Sequence, residues 1–287
     1  NRERKACRGK YYDSKVHQLK DENPKLWWDA VKRLSGAKTT QNDLISQINI
    51  ENFSDFSNQD QANTINNAFL EPLEEYRLQT SLASLPLEDP PMFLNVTELQ
   101  VQRALSILNP KKASGPDKIP NWFLKEYSYL LAFPVKEILN CSFREQRLPA
   151  IWKMADVSPL PKKKPVENLK KDLRPISLTP CVAKLAEGFV VDYYIKPAVL
   201  EVIDKSQYGA IPKSSTTMAL ISMLHEWTIG TDGNSSTVRT ILIDYRKAFD
   251  LIDHRILVDK LITLNIPRSL VNWIIDFLSD RHQRIKL

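Results

Sequence analysis

The sequence predicts an α+β fold in which helices and short strands alternate after a helical lead-in. Apolar residues recur at helical spacing in several segments, and the strand-like runs ADVSPLP and RPISL stand between them. A third run, residues 241–243, is wholly apolar, as is typical of a strand buried on both faces. With 43% apolar residues, a chain of 287 residues can form such a core without disulfides or metals.

Residues 1–95 are predicted to be a helical lead-in followed by a polar connector. In NPKLWWDAVKRLSG the apolar positions have helical spacing, so Trp27 and Trp28 are expected to pack in a core rather than to stack on bases. Residues 37–95 are rich in Asn, Gln and Ser and contain one predicted helix, QANTINNAFLEPLEEYRL. The proline-rich segment SLPLEDPPMF ends this connector.

Residues 96–287 are predicted to form a denser domain. Thr97 and Gln100 make a capping box for the helix ELQVQRALSIL. A basic turn, KKASGPDKIP, then precedes a helix from about Asn121 to Arg147.

The second half of this domain is predicted to be mainly helical. One amphipathic helix runs from Val182 to about Tyr194. A further helix runs from Ser215 to Trp227 and is broken by Gly230 and Gly233. DHRILVDKLITLNI and PRSLVNWIIDFLSD are two further helices, the second with Pro267 in its first turn. The final residues, RHQRIKL, are predicted to enter a strand, and both ends of the sequence suggest a piece of a longer chain.

The composition favours a reducing intracellular compartment and a polyanionic partner, and the expected localisation is the cytoplasm and the nucleus. The formal net charge is +6 and the pI is near 9.0, which favours nucleic acid only weakly. Cys7, Cys141 and Cys181 are far apart and odd in number, so they indicate neither a disulfide framework nor a zinc site. No apolar run approaches the roughly 20 residues of a membrane span, so no membrane partner is expected.

Asp244 is the residue with the clearest chemical potential, because it ends the apolar run 241–243. An acid at the end of a buried strand needs a cation or hydrogen-bond donors, and a carboxylate there can bind magnesium. The same residue could equally be a helix N-cap, and its position alone leaves both roles open. Asp250 and Asp253 do not share a face with Asp244, and Asp253 suits a helix cap.

The segment ILIDYRKAFDLIDHRILVDKL resembles the first palm motif of reverse transcriptases from non-LTR retrotransposons of the LINE type, such as the jockey, CR1 and RTE groups. It is preceded, in the order found in that family, by KKASGPDKIPNWFLK, WKMADVSPLPKKK, LRPISLTPCVAKLAE and QYGAIPKSSTTMAL. The resemblance implies a right-hand polymerase fold, with the lead-in at residues 1–95 and the fingers and a truncated palm at residues 96–287.

The resemblance also assigns roles within the palm motif. It implies that Asp244 and the backbone carbonyl of Tyr245 hold the catalytic Mg²⁺ ions of a two-metal site. The amides of Lys247 and Ala248 would face the incoming triphosphate, and Phe249 would reject a ribose 2′-hydroxyl by its bulk. From the sequence alone, core packing is the simpler role for Phe249.

In the fingers, the resemblance implies that Arg174 and either Lys162 or Lys163 bind the nucleotide triphosphate. Without the resemblance, the segment PKKKPVENLKKD would be interpreted as a solvated loop. Gln207, Tyr208 and Gly209 match the element of the family that lies beside the template. The sequence departs from the family at Ala210, Ile211 and Lys213, which puts the grip on the template in doubt. It departs from the family in the fingers as well, at Pro165 and Leu173.

The implied function is RNA-directed DNA polymerisation, a nucleotidyl transfer with an RNA template, a DNA primer and deoxynucleoside triphosphates as partners. The 287 residues contain no adjacent Asp-Asp pair, so half of the metal site is expected to be missing and these residues alone are expected not to polymerise. The alternatives are a catalytically dead RNA-binding remnant or domesticated retroelement protein, and a relative of group II intron maturases or telomerase.

Overall fold

The structure, a computed structural model, describes Trp27 and residues 44–75, 82–232, 237–245, 248 and 251–287. The predicted lead-in helix is outside this part of the chain, apart from Trp27. The predictions for five further residues also lie outside it: Trp28, Gly233, Lys247, Phe249 and Asp250.

The described chain is mainly helical. Its α-helices are α1 Asn58–Glu75, α2 Glu98–Ser106, α3 Asn121–Glu126, α4 Ser128–Glu145, α5 Leu169–Asp172, α6 Cys181–Val190, α7 Lys196–Val202, α8 Thr216–Thr231, α9 His254–Thr263 and α10 Arg268–Leu278. A π-helical turn, Val191–Ile195, joins α6 to α7, and short 3₁₀ turns span Ile45–Gln47, Phe53–Asp55 and Ala150–Lys153. No helix among the described residues has the length and apolarity needed to cross a membrane.

Three strands form one sheet: β1 Met154–Pro161, β2 Leu173–Leu178 and β3 His282–Ile285. The order is β2-β1-β3, with β2 antiparallel and β3 parallel to β1. The strand predicted at the end of the sequence is thus confirmed, and its partner is a strand about 125 residues earlier, a distance that local pattern cannot reveal.

The larger core lies among α2, α4, α6, α9 and α10. Trp273 and Phe143 are fully buried in it, with ring centroids 5.5 Å apart, and the indole N–H of Trp273 donates to Ser142 Oγ at 3.0 Å. Buried Asn272 on α10 ties the preceding segment to this core, because its side chain exchanges two hydrogen bonds with the backbone of Leu85, at 2.6 and 2.9 Å.

A smaller core forms where residues 44–75 meet the region between β1 and β2. Phe53, Ile65 and Ala68 pack there with Val166 and Leu173. Residues 37–95, predicted to be a connector rather than core, therefore contribute Phe53, Ile65 and Ala68 to this core, which the sequence did not predict. Their polar composition hid the few apolar positions that α1 turns inward, since one buried stripe is enough to attach a helix.

Most helices and strands agree with the sequence predictions. The Thr97–Gln100 capping box is present, and Asp253 caps α9 by accepting from the backbone amides of Arg255 and Ile256. The strands ADVSPLP and RPISL are confirmed as β1 and β2.

Three helix boundaries differ from prediction. The helix predicted from about Asn121 to Arg147 is interrupted at Tyr127, so α3 and α4 are separate. Helicity continues past Tyr194 through the π turn into α7. Helix α8 runs through Gly230 to Thr231, because one glycine weakens a helix by only about 1 kcal/mol and does not stop it.

The predicted strand before Asp244 is not observed. Residues 237–245 have no regular secondary structure, and Ile241, Leu242 and Ile243 are 84%, 85% and 78% exposed. A strand buried on both faces needs neighbouring strands and covering layers, and none of the three described strands pairs with this segment. The apolar run therefore predicts that these residues are buried, but it does not identify the element that would pack against them.

Candidate functional site

A cavity of about 510 Å³ brings several of the predicted site residues together. It lies where the C-terminal part of α1 faces β2, the short helix α5 and the start of β3. Its lining combines an apolar wall with three cations, and consists of Phe69, Leu70, Pro72, Leu73, Lys162, Lys170, Leu173, Arg174, Pro175, Ser177, Ala248 and Gln283.

The β1–β2 pairing positions Lys162 and Arg174 at the same cavity. Pro161 pairs with Leu173, and Leu160 pairs with Arg174, so Lys162 follows the last paired residue of β1. Its backbone amide donates to Asp172 O at 2.7 Å, and its Nζ donates to Lys171 O at 3.2 Å.

Arg174 provides a cation that is free to bind a ligand. Within the described part of the chain, its guanidinium has neither an ion pair nor a hydrogen bond, although its backbone is fixed in β2. A planar, always charged guanidinium held in this way is suited to bidentate binding of phosphate or carboxylate.

The loop between β1 and β2 is held by the buried carboxylate of Asp172. It accepts from the backbone amides of Glu167 and Asn168 at 3.1 and 2.8 Å and lies 3.5 Å from Lys163 Nζ. Burial raises the pKa of Asp172, but these two amide hydrogen bonds and Lys163 outweigh it, so the pKa is lowered overall. Asp172 therefore fixes the loop as an anion.

Lys162 and Lys163, which the sequence could not distinguish, have different surroundings. Lys163 pairs with Glu167 at 3.2 Å as well as with Asp172, and its bond to Glu167 raises the pKa of Lys163. Lys163 does not line the cavity, whereas Lys162 does. Of these two lysines, the structure brings only Lys162 to the same cavity as Arg174.

Sequence reasoning missed Lys170 and the contribution of α1. Lys170 lines the cavity and forms an ion pair with Glu71 of α1. Gln283 on β3 closes another side, where its Nε2 donates to Asn66 Oδ1 of α1 at 2.9 Å. The two runs of lysines in KKKPVENLKK show that cations are abundant there, but only the tertiary contacts show which ones face the cavity.

Ala248 is the described residue of the palm motif that reaches this cavity. Asp244 precedes it by four residues, so the Cα atoms of the two can be at most about 14 Å apart. Asp244 and Tyr245 are both exposed. The carboxylate of Asp244 and the carbonyl of Tyr245 are oxygen ligands of the kind that Mg²⁺ prefers, but no group of three or more His, Cys, Asp or Glu residues that could hold a metal occurs among the described residues.

The predicted template-side residues Gln207, Tyr208 and Gly209 lie away from this cavity, in the turn between α7 and α8. Gln207 Nε2 donates to Gly209 O at 2.8 Å, which stabilises the turn from within. Ala210 and Lys213, two positions that depart from the family, have φ values of 59° and 62°, a region that favours glycine.

Comparisons with known proteins point to one family. Residues 160–286 match the family model described as reverse transcriptase (RNA-dependent DNA polymerase). The chain is 25% identical over 225 residues to a probable RNA-directed DNA polymerase from transposon BS of Drosophila melanogaster. This alignment covers 75% of this chain and 24% of that protein. The chain is also 24% identical over 179 residues to the transposon TX1 uncharacterized 149 kDa protein of Xenopus laevis. This alignment covers 62% of this chain and 14% of that protein. The matches thus cover a quarter or less of each relative.

Proposed function

We propose that this chain, whose residues 160–286 belong to the reverse transcriptase family, is a segment of a retrotransposon RNA-directed DNA polymerase that binds the incoming nucleotide in the cavity beside Arg174. The observation that carries this proposal is that Lys162, Arg174 and Ala248 line one cavity although up to 86 residues separate them in sequence. The family motifs to which they belong therefore meet in space.

The charge of the cavity suits a triphosphate. Arg174 has no counter-ion in the described chain, Lys162 donates only to a neutral carbonyl, and Lys170 is balanced by Glu71. Phosphoryl transfer depends mainly on positioning and on neutralising phosphate charge. In the proposed reaction the primer 3′-oxygen attacks the α-phosphorus, the bond to the bridging oxygen of the β-phosphate breaks, and pyrophosphate leaves.

Asp244 and the carbonyl of Tyr245 would hold the divalent metal, for which we propose Mg²⁺. When bound, the metal would stabilise negative charge on the attacking and leaving oxygens. The amides of Lys247 and Ala248 are proposed to face the triphosphate, and Phe249 is proposed to select against a 2′-hydroxyl. Template RNA would pass the turn formed by Gln207, Tyr208 and Gly209.

The test measures how tightly a deoxynucleoside triphosphate binds to variants of Arg174 and of two lysines in the same loop. Binding of a fluorescent deoxynucleoside triphosphate to the 287-residue chain is expected to weaken about tenfold in Arg174→Ala, as for the loss of one charge-assisted phosphate contact, and to weaken in Lys162→Ala. Lys164→Ala is the control, because it removes the same charge from the same loop, and Lys164 neither lines the cavity nor pairs with Asp172 among the described residues. Equal effects of the two lysine variants would show that only net charge matters.

A second assay separates nucleotide binding from polymerisation. Since the 287 residues contain no adjacent Asp-Asp pair, we expect no magnesium-dependent primer extension by these residues alone, even where they bind nucleotide. Extension that is abolished by Asp244→Asn would show that this expectation is wrong and that the chain supplies a complete metal site. Binding of RNA without binding of nucleotide would instead favour a noncatalytic RNA-binding protein.

A further inference from the structure

A second cavity, of about 480 Å³, lies where the end of α2, the loop at residues 107–120 and one face of α6 meet. It shares no residue with the cavity beside Arg174. Leu108, Leu185 and Phe189 give it apolar walls, and Lys112 and Lys184 supply cations. Its volume is in the range of cavities that hold small ligands.

Asn121, the first residue of α3, lines this cavity and carries an unsatisfied acceptor. The residue is 5% exposed, and its Nδ2 donates to Asn109 O at 3.3 Å. Its Oδ1 is buried and has no hydrogen-bond partner among the described residues. Because a buried amide oxygen without a donor is costly, Asn121 favours a ligand that presents an N–H group.

The cations of this cavity are available to bind an anion. Neither Lys112 nor Lys184 has an ion-pair partner in the part of the chain that the structure describes. Three carboxylates are near, and one of them, Glu187, has a pKa that burial raises although Arg281 and Lys184 oppose the rise. Asp192, also in the lining, pairs with Lys196 at 3.7 Å, and burial raises the pKa of Asp117 although Lys184 opposes the rise.

We propose that this cavity binds a single nucleotide, with the base against Leu108, Leu185 and Phe189 and the phosphate between Lys112 and Lys184. A nucleobase edge carries the N–H donor that Asn121 lacks, and its flat apolar faces match the walls. The nucleotide can be a free nucleoside monophosphate or an unpaired nucleotide of an RNA strand. This second site does not rest on the proposed polymerase function, because its residues and its test are separate.

Gly188 offers a way to fill the cavity without disturbing the fold. It lies on α6 in the cavity lining, and a Cβ atom built at this residue would have no other atom within 4 Å. A side chain at position 188 therefore extends into open space. Gly188→Leu should occupy the volume of the ligand, whereas Gly188→Ala should leave most of it free.

The experiment measures binding of AMP, adenosine and a short adenosine oligoribonucleotide to the 287-residue chain by saturation-transfer NMR and calorimetry. We expect saturable binding of AMP that weakens at least about tenfold in Gly188→Leu and to a similar degree in Lys112→Ala/Lys184→Ala. Adenosine should bind more weakly than AMP because it lacks the phosphate. Binding of the oligoribonucleotide but not AMP, with the same sensitivity to Gly188→Leu, would assign the site to an unpaired nucleotide of a strand.

Three controls make the result decisive. Gly188→Ala and Lys125→Ala should bind as the parent chain does, and Arg174→Ala should leave this binding unchanged, which separates it from the site beside β2. The proposal is overturned if neither AMP nor the oligoribonucleotide binds, or if folded Gly188→Leu binds both normally. Should Gly188→Leu fail to fold, unchanged binding by Lys112→Ala/Lys184→Ala would overturn it as well.

Discussion

Arg284 on β3 donates through Nε to Oδ1 of Asp156 on β1 at 2.6 Å. The two residues are direct partners in the parallel register of these strands. Asp156 is 6% exposed. The hydrogen bond that Arg284 donates to Asp156 raises the pKa of Arg284. The side-chain pair therefore fixes β3 against β1 at the position that the backbone register also selects.

Removing Arg284 should loosen β3. Arg284→Ala leaves the buried carboxylate of Asp156 without its charged partner, a change that destabilises more than loss of an exposed pair. Urea denaturation should show a lower midpoint than for Lys170→Ala, which breaks the exposed pair with Glu71. The double variant Asp156→Asn/Arg284→Ala should recover part of the loss, and equal midpoints for the two single variants would contradict this role.

Alanine substitution should have opposite effects on the free energy of unfolding at Gly115 and at Gly188. A Cβ at Gly115 would lie 2.5 Å from Pro180 N and 2.5 Å from Thr179 C, which are backbone atoms. Gly115→Ala should therefore cost about 1–3 kcal/mol of unfolding free energy, whereas Gly188→Ala in α6 should gain about 0.5–1 kcal/mol. Thermal and urea unfolding of both variants would check this, and a neutral Gly115→Ala would show that the two segments can separate freely.

Asn272 should be needed to hold the segment around Leu85. Besides its two bonds to Leu85, its Nδ2 donates to Gln146 Oε1 at 2.7 Å. Asn272→Leu should cost about 2–3 kcal/mol, because backbone groups are left without partners. Gln59→Ala, which removes an exposed bond to Asn63, should change stability by less than about 0.5 kcal/mol. Faster proteolysis near Leu85 in Asn272→Leu alone would localise the effect.

Acid should weaken the loop between β1 and β2. The pKa of Asp172 is lowered in the folded chain, so its contribution to stability is present above its unfolded pKa of about 3.9 and is lost as the pH falls through the folded value. Unfolding free energy measured between pH 7 and pH 3 should therefore fall less steeply in Asp172→Asn than in the parent chain. Identical pH profiles would show that Asp172 is not held as an anion by this loop.

Local pattern predicted the elements well because their signals lie within a few residues. The Thr97–Gln100 capping box, the Asp253 cap and the strands of the β1–β2 hairpin are of this kind. It failed at the apolar run before Asp244, because burial depends on what packs against the segment. It also failed at the polar connector, where Phe53 and Ile65 enter a core.

The order of the motifs, the match of residues 160–286 to the reverse transcriptase family model and the residue types available for binding phosphate all follow from the sequence. Only the tertiary structure decided that Lys162 faces the cavity while Lys163 turns to Glu167 and Asp172, and that α1 forms its opposite wall. Residue type and spacing fix what a side chain can do. Contacts between segments that are distant in sequence decide which of two adjacent lysines faces the cavity. These contacts form only when the chain folds.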